Sequence, residues 1–595
     1  MQQYTVNQRT IAQLLHYIED GDIVIPEIQR PFVWDSVKVR DLIDSLYRGY
    51  PVGYIITWKN PSVRLKNGEL GGGKQVLIDG QQRITALMTA IAGREIVDNS
   101  YRKRRIVIAF HPLEEKFETL TPAIRNTKGW IHDISEYLQT DSKYQYLSEL
   151  LDTSDFDPEE RKIVEKNLDK LDSIKNREVG IVDLEAKLDI EAVTEIFVRI
   201  NSAGVPLEQA DFAMSKIASY EPAYDPLYGV NLRKVIDYFS HLIREPHFLK
   251  EISLNDSEFA ATPYLSKISW LGNERDLALY EPEYKDILRV SFVKQFRRGK
   301  TSDLVKLLSG QNFETREFDY DIQVSSFDRL KEGILDFINP THFKRYLMIL
   351  ESAGFIQSKL INSQTIINMG YVVYLTLRQE GYQDEDITRF VSRWVVLSIL
   401  TERYSTSPES SIDKDIRDIT EKGIEQVIDS IEKADLNDSY WQFGLVKDLD
   451  KGTINNPFLK LYFVAQIKLK DPLLFSTSHT VESVVRRRGD IHHIFPKDYL
   501  KKNGFSRRSE YNQIANLVYL HQEENIRIGN KSPKDYFAAL LETNRFESKE
   551  ALLTNLKQNS IPESIFNMEI TDYNDFLEQR RVLMAQKLKE YYECL

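Results

Sequence analysis

The sequence predicts an α+β protein of several domains, and three observations carry that expectation. Short β-rich runs alternate with helical stretches up to residue 110, the span 207–470 has mostly helical spacing, and an extended His-rich segment follows near the C-terminus. A chain of 595 residues also exceeds the size of about 250–300 residues at which one hydrophobic core stops growing. The expected boundaries are 1–215 for a small α/β domain, 216–470 for a helical connecting domain and 471–595 for a C-terminal domain.

Taken in order, residues 23–25 read as a short strand, 36–48 as a helix closed by Gly49, and 54–58, 76–78 and 106–110 as further strands. Between the strand at 76–78 and an apolar helix at 84–91, ended by Gly93, lies Asp79-Gly80-Gln81-Gln82-Arg83, a tight polar turn. Strand-to-helix junctions of this kind bring ligands to helix N-termini. From 112 to 178 the pattern is polar and helical; 179–184 reads as a strand, 191–201 as a helix stopped near Gly204, and Pro206 as a break. Helices are expected over 343–350, 366–377 and 387–400. A final amphipathic helix at 575–592 places Phe576, Leu583 and Leu588 at helical spacing for packing.

Hydrophobic residues make up 42% of the chain and charged residues 28%, with no low-complexity tract, so most of it should fold. The single cysteine, Cys594, excludes an internal disulfide framework and a cysteine-built zinc site and fits a reducing compartment. The start MQQYTVNQRTIAQLL lacks a secretion signal. No stretch approaches the roughly 20 apolar residues a membrane helix needs. A cytoplasmic location and no membrane partner are therefore expected. The net charge of −12 argues against a broad nonspecific DNA coat, so contact with nucleic acid must be local. Residues 481–540 hold 11 Lys+Arg against 7 Asp+Glu, clustered at Arg486-Arg487-Arg488, Lys501-Lys502 and Arg507-Arg508. A solvated face is the alternative reading of such runs.

The C-terminal segment runs Gly489-Asp490-Ile491-His492-His493-Ile494-Phe495-Pro496, then Asn516-Leu517-Val518-Tyr519-Leu520, then Asn525, Asn530 and Lys531. Hydrolysing a phosphodiester needs an activated water, a geometry that holds it in line, and a cation for the developing charge. Histidine titrates near neutrality, so His493 can take a proton from water if its other ring nitrogen is held, and Asn516 is the candidate for that hold. Adjacent histidines on an extended segment point to opposite sides, which lets His492 turn to a metal. Asn525, expected near a helix start, can offer a neutral oxygen to a hard cation such as Mg²⁺. A lone His-His pair is most often structural; three blocks in this order within about 35 residues reverse that weighting. Lys531 is a candidate phosphate contact, with helix solvation as the alternative.

This stretch resembles the ββα-metal fold of HNH (His-Me finger) nucleases, as found in the C-terminal halves of GmrSD-type, modification-dependent (type IV) restriction endonucleases. The resemblance implies His493 as general base, Asn516 as its orienting partner, and His492 and Asn525 as ligands of a divalent metal, Mg²⁺ first. Most members of the broader family have an acidic residue before the base, and His492 departs from that.

Near the N-terminus, Ile25-Pro26-Glu27-Ile28-Gln29-Arg30-Pro31-Phe32-Val33-Trp34 precedes the first long helix, and Asp79 to Arg83 follows a strand. Arginine forks suit phosphate oxygens, glycine lets backbone amides approach, and glutamines can bond a base, sugar or water, which describes a polyphosphate or DNA-backbone site. A structural turn is the alternative. Arg83, as an exposed loop residue, should matter for turnover and little for stability. Phe32 and Trp34 suit either a pocket for a modified base or core packing.

Together with DSLYRGYPVG, LIDGQQRITAL and Phe197-Val198-Arg199-Ile200-Asn201-Ser202-Ala203-Gly204-Val205-Pro206-Leu207, these segments closely resemble the N-terminal ParB/sulfiredoxin-like domain of the same family. Arg403-Tyr404-Ser405 with Ser410 and Asp415 looks like a further family element. The resemblance implies a domain that binds and hydrolyses a nucleoside triphosphate, ATP or GTP, and helps sense modified DNA. Asp79, Gly80, Gln81, Gln82 and Arg83 would form the nucleotide site, with Gln29, Arg30, Arg199 and Asn201 nearby. No Walker-type glycine-lysine loop is present, so NTPase activity rests on the resemblance alone. The implied function is an anti-phage DNA endonuclease gated by nucleotide. Two alternatives stand beside it, a nucleotide-switched DNA-binding protein without nuclease activity and a nonspecific nuclease toxin. Homo-oligomer formation is left open.

Overall fold

The computed structural model describes residues 4–24, 34–59, 75–97, 103–154, 156–185, 188, 209–220, 227–274, 277, 279–450, 455–487, 489–543 and 545–595. Gln29, Arg30, Phe32, Arg199, Asn201, Arg488 and the helix expected at 191–201 lie outside the described residues. The chain divides into two units, Met1–Arg233 and Lys234–Leu595, each with its own packing. The class is α+β.

The first unit runs β1 (Tyr4–Thr10), α1 (Ile11–Glu19), β2 (Ile23–Val24), α2 (Ser36–Arg48), β3 (Tyr54–Lys59), β4 (Gln75–Asp79) and α3 (Gln81–Ala90). Two small antiparallel hairpins follow, β5 (Ile96–Val97) with β6 (Lys103–Arg104) and β7 (Ile108–His111) with β8 (Lys116–Thr119). Short and long helices then lead to β9 (Glu178–Leu184). The sequence marks the helix starts. Thr10 and Gln13 form a reciprocal cap on α1, while Asp35 accepts from the Lys38 amide at α2 and Gly49, at φ 76°, ends it in the left-handed region.

Five strands form one mixed sheet in the order β1-β9-β3-β4-β2. β1 runs antiparallel to β9 and β3 antiparallel to β4, whereas β3/β9 and β2/β4 are parallel. Alternation sorts the strand residues. Ile55, Leu77 and Ile181 enter the main core with Leu14, Ile43, Leu46, Ile84 and Leu87 from the helices, while Ile56, Trp58, Val182 and Leu184 form a smaller cluster. Asp183 ties β9 to three other strands by accepting from Thr57 Oγ1 at 2.5 Å, Gln75 Nε2 at 2.6 Å and Asn7 Nδ2 at 2.7 Å.

In the second unit the expected apolar helices are Pro340–Ser352, Gln364–Gln379 and Asp384–Leu400. Two of their buried tyrosines are both stacked and bonded: Tyr346 and Tyr371 lie with ring centroids 4.8 Å apart, and their hydroxyls donate to the carbonyls of Ile367 and Phe337. The Arg403-Tyr404 element is an interior tie. Asp415, fully buried, accepts from Arg403 Nε at 2.7 Å, from Arg403 Nη2, and from the Tyr404 hydroxyl at 2.8 Å.

The C-terminal segment makes an antiparallel hairpin, β10 (Ile491–His493) with β11 (Leu517–Tyr519), followed directly by the helix Gln522–Ile528. The last helix, Tyr573–Glu593, braces that hairpin from behind. Its fully buried Arg580 donates through Nη1 to the carbonyls of Ala515 at 2.7 Å and Leu517 at 2.9 Å, and its Lys587 meets Asp471 at 2.5 Å. Phe576 and Leu588 are fully buried as expected, but Leu583 is only half-buried; the inward stripe continues through Met584 and Tyr591 instead. Among the described residues no helix is long and apolar enough to cross a membrane.

Candidate functional site

The register of β10 and β11 sets the two histidines apart. His492 stands opposite Val518 and His493 opposite Leu517, so they occupy opposite faces of the hairpin. On one face, His493 Nε2 lies 2.8 Å from the side-chain oxygen of Asn512. A carboxamide oxygen only accepts, so Nε2 carries the proton and the neutral ring keeps its lone pair on Nδ1. Burial holds the His493 imidazole below its ordinary range, Lys497 and His492 push it the same way, and the Asn512 bond opposes them. The ring is therefore neutral at physiological pH, which a base requires. Tyr511 stands edge-on to His493 with centroids 6.2 Å apart, and the ammonium groups of Lys497 and Lys501 lie 5.5 and 5.3 Å from the Tyr511 ring centre.

Asn516 does not hold His493. Its side chain is fully buried and mimics a peptide: Oδ1 accepts from the Phe495 amide at 2.8 Å, and Nδ2 donates to the carbonyls of Phe495 at 3.1 Å and Tyr511 at 3.2 Å. The short turn Ile514–Asn516 ends immediately before β11 and delivers this side chain to the chain leaving β10. Asn512 lies four residues earlier and nineteen after His493. Sequence reasoning misses it, and its only signal is a further asparagine in the same stretch.

On the other face, His492 borders a cleft of about 280 Å³ whose walls also include His479, Arg487, Asp490, His521 and Gln522. Burial lowers His492, with Asp490 acting against it, so the imidazole is neutral and able to ligate. Asn525 lies one turn inside the helix Gln522–Ile528 and is not among the residues lining the cleft. No three His, Cys, Asp or Glu side chains among the described residues converge as a closed metal cage. Arg486 is paired with Glu482 at 2.9 Å, whereas Arg487 and Lys531 form no ion pair among the described residues.

In the first unit, Asp79 ends β4, Gly80 caps α3 at φ 96° in the left-handed region, and Gln81 to Arg83 form its first turn. A Cβ on Gly80 would lie 3.0 Å from Ile55 Cγ1, so the close approach also asks for glycine. No side chain caps the helix. Arg83 is not an exposed fork. Its guanidinium is four-fifths covered, paired with Asp79 at 3.0 Å, and donates to the carbonyls of Tyr54 at 2.5 Å and Val52 at 3.4 Å. It thus latches the start of β3 to the start of α3. Gln82 Oε1 accepts from the Trp34 amide at 3.3 Å, and the half-buried Trp34 packs on the main core, in keeping with packing.

Comparison with known proteins adds two findings. Residues 11–218 match the family model described as GmrSD restriction endonuclease, N-terminal domain. Along its whole length the chain is also similar to an uncharacterized protein of Methanocaldococcus jannaschii, 22% identical over 651 aligned residues that cover 98% of each chain.

Proposed function

We propose, on the match of residues 11–218 to the GmrSD restriction endonuclease N-terminal domain family, that this chain is a DNA endonuclease of the type IV restriction class. Its hydrolytic centre would be the β10-β11 hairpin with the helix that follows, read as a His-Me finger. The observation that carries this reading is the bond from His493 Nε2 to Asn512. It leaves Nδ1 as the atom that takes the proton of an attacking water, with the ring already neutral. Lys497 and Lys501, exposed beside Tyr511, are placed to meet flanking phosphates.

A divalent cation on the His492 face of the hairpin would be held by few protein groups. His492 would supply a neutral nitrogen, while Asp490 on the same cleft and Asn525 in the following helix are the oxygen donors of the segment. A cation bound there stabilises negative charge on the phosphorus oxygens and the leaving oxygen.

In the first unit, nucleoside triphosphate binding at Gly80-Gln81-Gln82 is the companion proposal, supported by the family and by a helix start that no side chain caps. Arg83 then shapes the turn, because Asp79 and two carbonyls already hold its guanidinium. Gating of cleavage by nucleotide, and preference for modified DNA, belong to the same proposal. The test is cleavage of modified and unmodified DNA with a divalent metal, with and without each nucleotide, by the wild type and His493→Ala. Cleavage that survives in His493→Ala would remove His493 as the base.

A further inference from the structure

We propose that His479, Arg487 and His521 form an oxyanion subsite that receives a phosphodiester oxygen of the substrate beside His492. The inference deepens the hydrolytic reading of the hairpin and rests on it. His521 lies two residues after β11, lines the cleft, and its Nε2 is buried without a hydrogen-bond partner. Buried polar atoms in folded proteins are nearly always bonded, so this orphan nitrogen, in a ring that lines the cleft, is one that a ligand there can complete once the ring turns toward it. His479 stands perpendicular to it with ring centroids 4.8 Å apart. Its Nδ1 is already within reach of Ser478 Oγ at 3.1 Å and Ser476 Oγ at 3.5 Å, which leaves Nε2 as the remaining polar atom of the ring.

Arg487 supplies the charge. It is exposed on the cleft wall and forms no ion pair among the described residues, in contrast to Arg486, which Glu482 holds. The chain can place Arg487 and Asp490 on one wall because Gly489 passes tightly against Val484, where a Cβ would lie 2.3 Å from Val484 Cγ1. Two histidine edges and a guanidinium favour an anion. With Asp490 and His492 on the same cleft, the anion would sit next to the cation donors, as a metal-assisted phosphodiester hydrolysis requires. A cleft of about 280 Å³ has the volume of roughly nine waters, enough for a phosphodiester group.

The experiment is affinity of the full chain for a short DNA duplex in EDTA, read by fluorescence anisotropy at several salt concentrations. His521→Phe should weaken binding about fivefold, the loss of one hydrogen bond, and His521→Gln, which keeps a donor, should restore most of it. Arg487→Ala should weaken binding and flatten the slope of log K against log salt by about one. Wild-type affinity in both His521→Phe and Arg487→Ala, with unchanged melting curves, overturns the subsite. So does an equal loss in His521→Phe and His521→Gln. Because the assay contains no metal and reads no cleavage, a failure of the hydrolytic reading shows separately, as wild-type protein that cuts no DNA with any divalent ion.

Discussion

The Oδ1 of Asn512 lies 2.8 Å from Nε2 of His493, while Nδ1 of the same ring makes no hydrogen bond among the described residues. Asn512 is itself nearly buried, so it can fix the tautomer and the ring plane together. Asn512→Ala should therefore lower kcat about 10- to 100-fold, the usual effect of losing an orienting partner, with KM little changed. Steady-state cleavage of a short duplex checks this, and a wild-type kcat in the variant would take Asn512 out of the site.

Asn516→Ala should act on stability. It strands the Phe495 amide and two carbonyls in a fully buried position, and one unsatisfied buried group costs about 1–3 kcal/mol. Urea unfolding followed by fluorescence should show a loss in that range or above it. A variant with unchanged stability and abolished cleavage would return Asn516 to a direct role.

Metal choice should follow His492. An imidazole nitrogen suits Mn²⁺, Co²⁺ or Ni²⁺ better than Mg²⁺, which prefers oxygen. The wild type is expected to reach half-maximal cleavage at lower Mn²⁺ than Mg²⁺, and His492→Asp to narrow that gap. Metal titrations that rank Mg²⁺ first in the wild type and leave the ranking unchanged in His492→Asp would argue against His492 as a ligand.

Arg83→Ala should destabilise the first unit by about 1–3 kcal/mol, because three acceptors lose their donor in a covered position. Gly53→Ala should strain the same joint: Gly53 has φ 86°, and its Cβ would lie 2.7 Å from Arg83 Nη1. Thermal melts of the two variants, alone and combined, provide the check, and a sum of independent losses would deny that they share one joint.

Asp415→Asn leaves Arg403 inside the protein without its counter-charge. Breaking a buried pair from one side costs about 3–5 kcal/mol. Soluble yield and unfolding midpoint should both fall, whereas DNA affinity per folded molecule should hold; a variant as stable as the wild type would refute the interior tie.

The sequence is most readable where a period or a punctuation residue governs. The helices at Pro340–Ser352, Gln364–Gln379 and Asp384–Leu400 follow from apolar spacing, and the junction at Gly80 from a glycine between a strand and a helix. The opposite facing of His492 and His493 follows from the pleat of a strand. What periodicity does not encode is which of several like residues faces a given atom. Asn512 and Asn516 share one irregular stretch, and only the turn Ile514–Asn516 decides that Asn516 faces the backbone and Asn512 the imidazole. Arg83 reads as a loop cation because its acceptors, the carbonyls of Val52 and Tyr54, lie about thirty residues away in sequence. His479 and His521 escape sequence reasoning for the same reason, since forty-two positions separate two rings that meet in space. The strand β8 hides inside a stretch that reads as helical because four residues are too few to show a period.

Arg580 ties the hairpin to an event in time. The carbonyl of Leu517 receives its partner from a residue 63 positions further along the chain. At about 5–20 residues per second of synthesis, β11 waits roughly 3–13 seconds for that brace. A chain that ends before residue 580 therefore lacks the one side chain that clasps both carbonyls leading into β11.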